Sequence, residues 1–178
     1  MSDALTEKRR KSKKVYSGAL LHVFEDTVEL PDGNYSRREY IKHPGASLIM
    51  PVFEDGSVLM ERQFRYPVNQ VIDELPAGKL DADESPIDAA KRELAEETGY
   101  SANDWIEVGT LMPCVGYSDE RIHVFLARNL TLVGQSLDDE EFIETFTVPF
   151  NELYESALDG RIQDAKTLIA IFWAKKFL

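Results

Sequence analysis

The sequence predicts an α/β sandwich with a mixed sheet. Three observations point there. Short apolar stretches of strand length are separated by turns rich in Gly and Asp, one sharply capped helix lies mid-chain, and two further helical stretches close the sequence.

Taken in order, residues 15–30 alternate in the manner of a strand. Asp32-Gly33-Asn34 supplies a turn and residues 35–43 a returning strand, so the two form a hairpin. Pro44-Gly45 breaks the chain before an apolar run over residues 46–53. Asp55-Gly56 is a second hairpin turn, leading into a strand over Ser57–Arg65, and residues 71–75 form a short strand ending in Pro76-Ala77-Gly78. The clearest helix spans Pro86–Thr98. Ser85 is its N-cap, Pro86 takes the first helical position, Asp88 completes a box-like cap, and Gly99 stops it. Strands follow over residues 105–111, 122–127 and 142–148, then a helix over 151–158, a stop at Gly160, and a final helix over 164–176.

A chain of 178 residues suits one domain with a short arm. Residues 1–14 read as a basic, flexible arm, residues 15–43 as the N-terminal hairpin, and residues 44–178 as the main domain. The 43% apolar content is that of a soluble globular protein, and no apolar run reaches the roughly 18 residues of a membrane span. The polar N-terminus lacks a secretory stretch, and Cys114 is the lone cysteine, so a reducing, cytoplasmic setting is expected.

The net charge of −12 is uneven: six basic against two acidic groups in residues 1–14 leave −16 for the rest. So acidic a body argues against nucleic acid as the main partner, since repulsion replaces counterion-driven attraction. A phosphate-bearing small molecule would need divalent cations to offset the same repulsion.

The chemistry concentrates in GKLDADESPIDAAKRELAEETGY, residues 78–100. On a helix, Glu93, Glu96 and Glu97 share one stripe, while Ile87, Ala90 and Leu94 form a neighbouring stripe able to face a core. Three such carboxylates repel one another unless a cation offsets them, and carboxylate oxygens are hard ligands suited to Mg²⁺. By themselves the three glutamates fit an ordinary solvated acidic face better than a metal site.

The surrounding residues decide between the two. The segment resembles the box of the Nudix hydrolase superfamily, G-x5-E-x7-R-E-U-x-E-E-x-G-U with U bulky and apolar. Gly78, Glu84, Arg92, Glu93, Leu94, Glu96, Glu97 and Gly99 match it, and Tyr100 replaces the usual aliphatic residue. Seven fixed identities would arise by chance in a chain of this length with odds on the order of 10⁻⁶.

The resemblance implies a Nudix α/β/α sandwich with a mixed sheet and added N-terminal antiparallel strands. It implies Glu93, Glu97 and Glu96 as metal ligands together with the main-chain carbonyl of Ala77. Gly78, Glu84, Arg92 and Gly99 are then structural. The expected cofactor is Mg²⁺, with Mn²⁺ as a substitute.

RREYIKHPGA (37–46), ERQFRYP (61–67), ELPAGKLD (74–81) and GYSDERIHVFLA (116–127) are similar to the ADP-ribose pyrophosphatase branch of that superfamily. This implies hydrolysis of a nucleoside diphosphate sugar, ADP-ribose giving AMP and ribose 5-phosphate. Arg38 and Arg65 would contact the diphosphate through their guanidinium forks. The catalytic base falls in the acidic run 138–141, at Glu141 or Glu140, with Asp139 an alternative. Pro113 takes the place of a proline beyond the box. The branch also implies a homodimer built through the strands of residues 15–43.

Phe64, Tyr66 and Tyr117 could stack on a nucleobase or pack within the protein. Cys114 reads as a small buried filler, and His22, His43 and His123 as structural or surface residues. The resemblance leaves three alternatives: a GDP-mannose or other nucleotide-sugar pyrophosphatase, a Nudix-fold module that senses a nucleotide without hydrolysis, and an RNA-cap hydrolase using the basic arm, which the acidic body disfavours.

Overall fold

The computed structural model describes residues 3–137 and 139–178. They divide into two compact units: residues up to Pro44 with Cys114–Glu120, and Gly45–Pro113 with Arg121–Leu178.

The first unit is an antiparallel sheet in the order β1-β2-β3, from β1 (Lys8–Ser17), β2 (His22–Glu29) and β3 (Tyr35–Lys42). Two expectations change here. The flexible arm over residues 1–14 is not observed from Lys8 onward, because those residues are strand. The expected strand over 15–30 is interrupted at residues 18–21, where Gly18 N–H donates to the Leu21 carbonyl. Cross-strand charge pairing accompanies the order of β1. β1 sets Lys8 opposite Glu29, Lys13 opposite Glu25, and Ser12 opposite Asp26, and Arg10 Nε reaches Glu29 at 2.7 Å. Opposed charges on facing strands each contribute a few tenths of a kcal/mol, up to about 1. All ten residues of β1 are exposed, so no apolar period marks it in the sequence. Residues 114–120 are tied to β3: the Tyr117 carbonyl accepts from Ile41 N–H, and His43 N–H donates to Asp119 Oδ1.

The second unit is layered. One sheet runs β10-β5-β6, from β5 (Ser57–Arg65), β6 (Gln70–Glu74) and β10 (Ile143–Pro149). The other runs β7-β4-β9-β8, from β4 (Ala46–Pro51), β7 (Ala77–Lys79), β8 (Tyr100–Leu111) and β9 (Ile122–Leu132). It is mixed, because β4 pairs parallel with β9 and antiparallel with β7. All six residues of β4 are buried, the signature of a strand covered on both faces.

Alternation along β4 sorts the core. Leu48 and Met50 join Met60, Val124, Leu153 and Ile171 on the side of α2 (Phe150–Leu158) and α3 (Ala165–Ala174). Ile49 faces the other way, onto Ala90 and Leu94 of α1 (Pro86–Thr98). Helices therefore cover both faces, which is the expected α/β/α sandwich. β8 and β9 run longer than expected because polar residues such as Asp104 are carried by pairing with Arg128 rather than by burial. No helix of the described residues is long and apolar enough to cross a membrane.

Candidate active site

The geometry of α1 follows from its caps. Ser85 Oγ accepts from Asp88 N–H at 3.3 Å, Pro86 occupies the first turn, and Gly99 ends the helix at φ 76°, its N–H on the Ala95 carbonyl. A Cβ at Gly99 would lie 2.7 Å from the Gln135 nitrogen, so glycine is required there for space as well as for φ. The segment after β9 closes this end: Gln135 Nε2 donates to the Glu97 carbonyl at 2.5 Å and Ser136 N–H to that of Glu96 at 3.1 Å. Tyr100, the departure from the box pattern, is half-buried with its ring edge-on to Phe53.

Burying Leu94 and Ala90 against the sheet turns the acidic stripe toward β7. There Ala77 N–H donates to Glu97 Oε2 at 3.0 Å. Gly78 lies so close to Glu93 that a Cβ would meet Glu93 Oε1 at 1.8 Å. Arg92 fixes the loop before the helix. Its Nε and Nη2 grip Glu84, and Nη2 also reaches the Lys79 carbonyl. Its Nη1 bridges Glu93 and Glu96. The Arg92 bonds, with Asp81 N–H, hold the Glu84 carboxyl down at about 2.

The carboxylates facing β7 behave oppositely. Glu97 is 4% exposed, and burial, then the charges of Glu61, Glu93 and Glu141, push it up to about 10. Burial likewise raises Glu93. Glu141 acts on both, which brings it into the neighbourhood of the helix. Asp139 and Glu140 are exposed turn residues, and position 138 lies outside the described residues.

Arg65 reaches Glu74 with Nε and Nη2, at 2.7 and 2.9 Å. Lys166 at the start of α3 also bonds Glu74. Arg38 lies in the first unit, where Glu7 takes its Nε and Nη2 and its Nη1 donates to Ser36 Oγ and the Arg37 carbonyl. Phe64, Tyr66 and Tyr117 are exposed rather than packed in a core. Cys114 is only half-buried, receiving the Tyr117 hydroxyl at 3.1 Å, which corrects the buried-filler reading. His22 and His123 pair with hydroxyls of Ser17 and Thr110.

Sequence reasoning missed Glu61, Glu74 and Lys166. The signal for the first two was present, since a four-residue connection between β5 and β6 sets Glu61 opposite Glu74. Lys166 lies 92 residues from its partner and carries no local signal.

A divalent ion fits these residues. The donors are carboxylate oxygens, hard ligands suited to Mg²⁺. Gly78 leaves room for the Glu93 carboxylate, and buried Glu61 has both side-chain oxygens unpartnered. Among the described residues no three acidic, His or Cys side chains stand close enough to hold an ion unaided. Arg92 Nη1 occupies an oxygen each of Glu93 and Glu96, and a bound cation would offset the repulsion among the carboxylates.

Comparison with known proteins places the family. The NUDIX domain model matches residues 42–170, and the model described as nucleoside diphosphate sugar hydrolase N-terminal domain matches residues 7–41. The ADP-ribose pyrophosphatase of Bacillus subtilis is 38% identical over 94% of this chain and 92% of its own length. A GDP-mannose pyrophosphatase of Cronobacter sakazakii is 33% identical over 77% of this chain and 76% of its own. The fold matches the crystal structure of an ADP compounds hydrolase with a TM-score of 0.87 at 22% identity, covering 99% of this chain and 97% of that one. With its box matched residue by residue and the family model spanning most of its length, the chain belongs to the Nudix hydrolase family.

Proposed function

We propose that this chain hydrolyses the pyrophosphate bond of a nucleoside diphosphate sugar in the cytoplasm, with ADP-ribose as substrate and AMP and ribose 5-phosphate as products. One observation carries the reading: Arg92 and Glu84 clamp α1 so that Glu93 and Glu97 lie against the Ala77-Gly78 backbone. The identity to an ADP-ribose pyrophosphatase over nearly the full chain supports that substrate over GDP-mannose.

Glu93, Glu96 and Glu97, with the Ala77 carbonyl, would hold Mg²⁺, or Mn²⁺ in its place. When bound, the ion offsets negative charge building on the diphosphate and makes water a better nucleophile. Glu141 takes the proton of the attacking water; its charge already acts on Glu93 and Glu97, which favours it over Glu140. Arg65, its Nε–Nη2 edge held by Glu74, turns its remaining nitrogen, Nη1, to a phosphate oxygen. Arg38, whose guanidinium Glu7 holds, is also a proposed phosphate contact. Water attacks phosphorus directly, with no covalent enzyme intermediate.

The reading includes a homodimer built on the N-terminal strands. An exposed ten-residue edge strand in β1 supports it, since unpaired edges invite a partner. Light scattering on the eluted protein is expected to give twice the 20.2 kDa chain mass; a monomer at micromolar concentration contradicts it.

The test is a substrate panel of ADP-ribose, GDP-mannose, NADH and capped RNA with Mg²⁺, read by product identity. ADP-ribose is expected to give the highest kcat/KM. Preference for GDP-mannose overturns the substrate, and binding without turnover of any of them overturns the enzyme reading.

A further inference from the structure

β5 carries a carboxylate for which the Arg92 clamp has no use. Glu61 is fully buried, at 0% exposed, and neither of its oxygens has a hydrogen-bond partner among the described residues. Its register partner across the β5–β6 ladder is Glu74, so both side chains leave the same face of the sheet.

Glu74 is amply served. Arg65 donates two hydrogen bonds to it and Lys166 a third, while Lys166 spends another on Asp164 at 3.0 Å. Glu97, also buried, accepts the Ala77 N–H. Among the negative charges acting on Glu97, that of Glu61 is the strongest, ahead of Glu93 and Glu141. The arrangement therefore sets three buried carboxylates, Glu61, Glu74 and Glu97, against two cations that both serve Glu74. Two carboxylates, Glu61 and Glu97, are left with no cation bonded to them, and one divalent ion can serve both.

Buried charges persist only when paired, protonated or coordinated to a metal. No donor is bonded to either Glu61 oxygen, while Arg65 and Lys166 bond Glu74 instead, so a cation beside Glu61 would supply the partner that this buried carboxylate lacks.

We propose that Glu61 is a further carboxylate of the divalent-cation site, presented from β5 to the ion that Glu97 holds from α1, directly or through one water. The proposal rests on the reading of Glu97 as a metal ligand. It makes the site draw on the central sheet as well as the box helix, so metal affinity depends on a residue outside the box.

The test uses Mn²⁺ alone, without substrate. Free Mn²⁺ is followed by electron paramagnetic resonance as it is titrated into the full chain, into Glu61→Gln and into Glu97→Gln. Glu61→Gln is expected to weaken Mn²⁺ binding about 10- to 100-fold. Its circular dichroism should be unchanged and its melting temperature in EDTA equal or higher, because an unpaired buried carboxylate has been removed. Affinity within twofold of wild type overturns the proposal and leaves Glu61 a buried neutral acid. A wild-type chain that binds no Mn²⁺ overturns the metal reading of Glu97 and this proposal together, whereas equal binding by wild type and Glu61→Gln with loss in Glu97→Gln overturns this proposal alone. Anomalous scattering from Mn²⁺-soaked wild-type crystals tests it without any variant. An ion touching Glu61 directly or through one water supports the proposal, and an ion farther away overturns it.

Discussion

Arg92 grips Glu84 with the Nε–Nη2 edge of its guanidinium, at 2.9 and 2.8 Å, while its Nη1 spans Glu93 and Glu96 at 2.7 and 3.0 Å. One side chain thus ties the loop at residues 79–84 to the helix that carries the acidic stripe. Glu84 is the anchor, and its carboxyl sits at about 2 against an ordinary 4.5. A depressed carboxyl stabilises the fold fully above its unfolded value and loses that contribution as pH falls through its folded value. The melting-temperature gap between wild type and Glu84→Gln is therefore expected to be full above about pH 4.5 and to shrink between there and about pH 2. Thermal scans across that window check it, and a gap independent of pH contradicts the pairing.

Two glycines of the box separate function from stability. The three atoms nearest a Cβ at Gly78 all belong to the movable carboxylate of Glu93, so Gly78→Ala should leave the melting temperature near wild type. It should lower the Mg²⁺-dependent rate about 10- to 100-fold by displacing that carboxylate. Gly99 has φ 76° and backbone, not side chain, within 2.7 Å. Gly99→Ala should cost about 1–3 kcal/mol of stability, measured by urea unfolding. Equal effects of the two changes on stability would contradict this division.

Glu141 and Glu140 are adjacent, and the charge of Glu141 acts on the buried carboxylates Glu61, Glu93 and Glu97, while Glu140 is an exposed turn residue. If Glu141 is the base, Glu141→Gln lowers kcat about 10²- to 10⁴-fold with a smaller change in KM. Glu140→Gln should stay near wild type. The reverse pattern in steady-state kinetics moves the base to Glu140.

The box helix was legible because its signals are local. Ser85, Pro86 and Gly99 bound it, and Ala90 and Leu94 mark its buried face, all within fifteen residues. The mixed sheet was legible in outline, since β4 is one continuous apolar run. β1 was not, because its order comes from matching Lys and Arg against acidic residues of β2, a pattern that exists only once the strands are in register. Lys166 was illegible for a related reason, and Glu61 and Glu74 were overlooked although the short β5–β6 connection sets them opposite each other. Their meaning lies in who faces whom across β5–β6 and at the start of α3, and a carboxylate on an amphipathic strand otherwise reads as solvated.

The account stands on Glu97 acting as an anionic ligand for the ion that serves the diphosphate. The direct measurement is ADP-ribose turnover by Glu97→Gln across a Mg²⁺ titration to saturation, with circular dichroism as a check on folding. The expected result is a kcat lower by about a hundredfold or more at every Mg²⁺ concentration in a folded protein. A near-wild-type kcat at saturating Mg²⁺ would contradict the account.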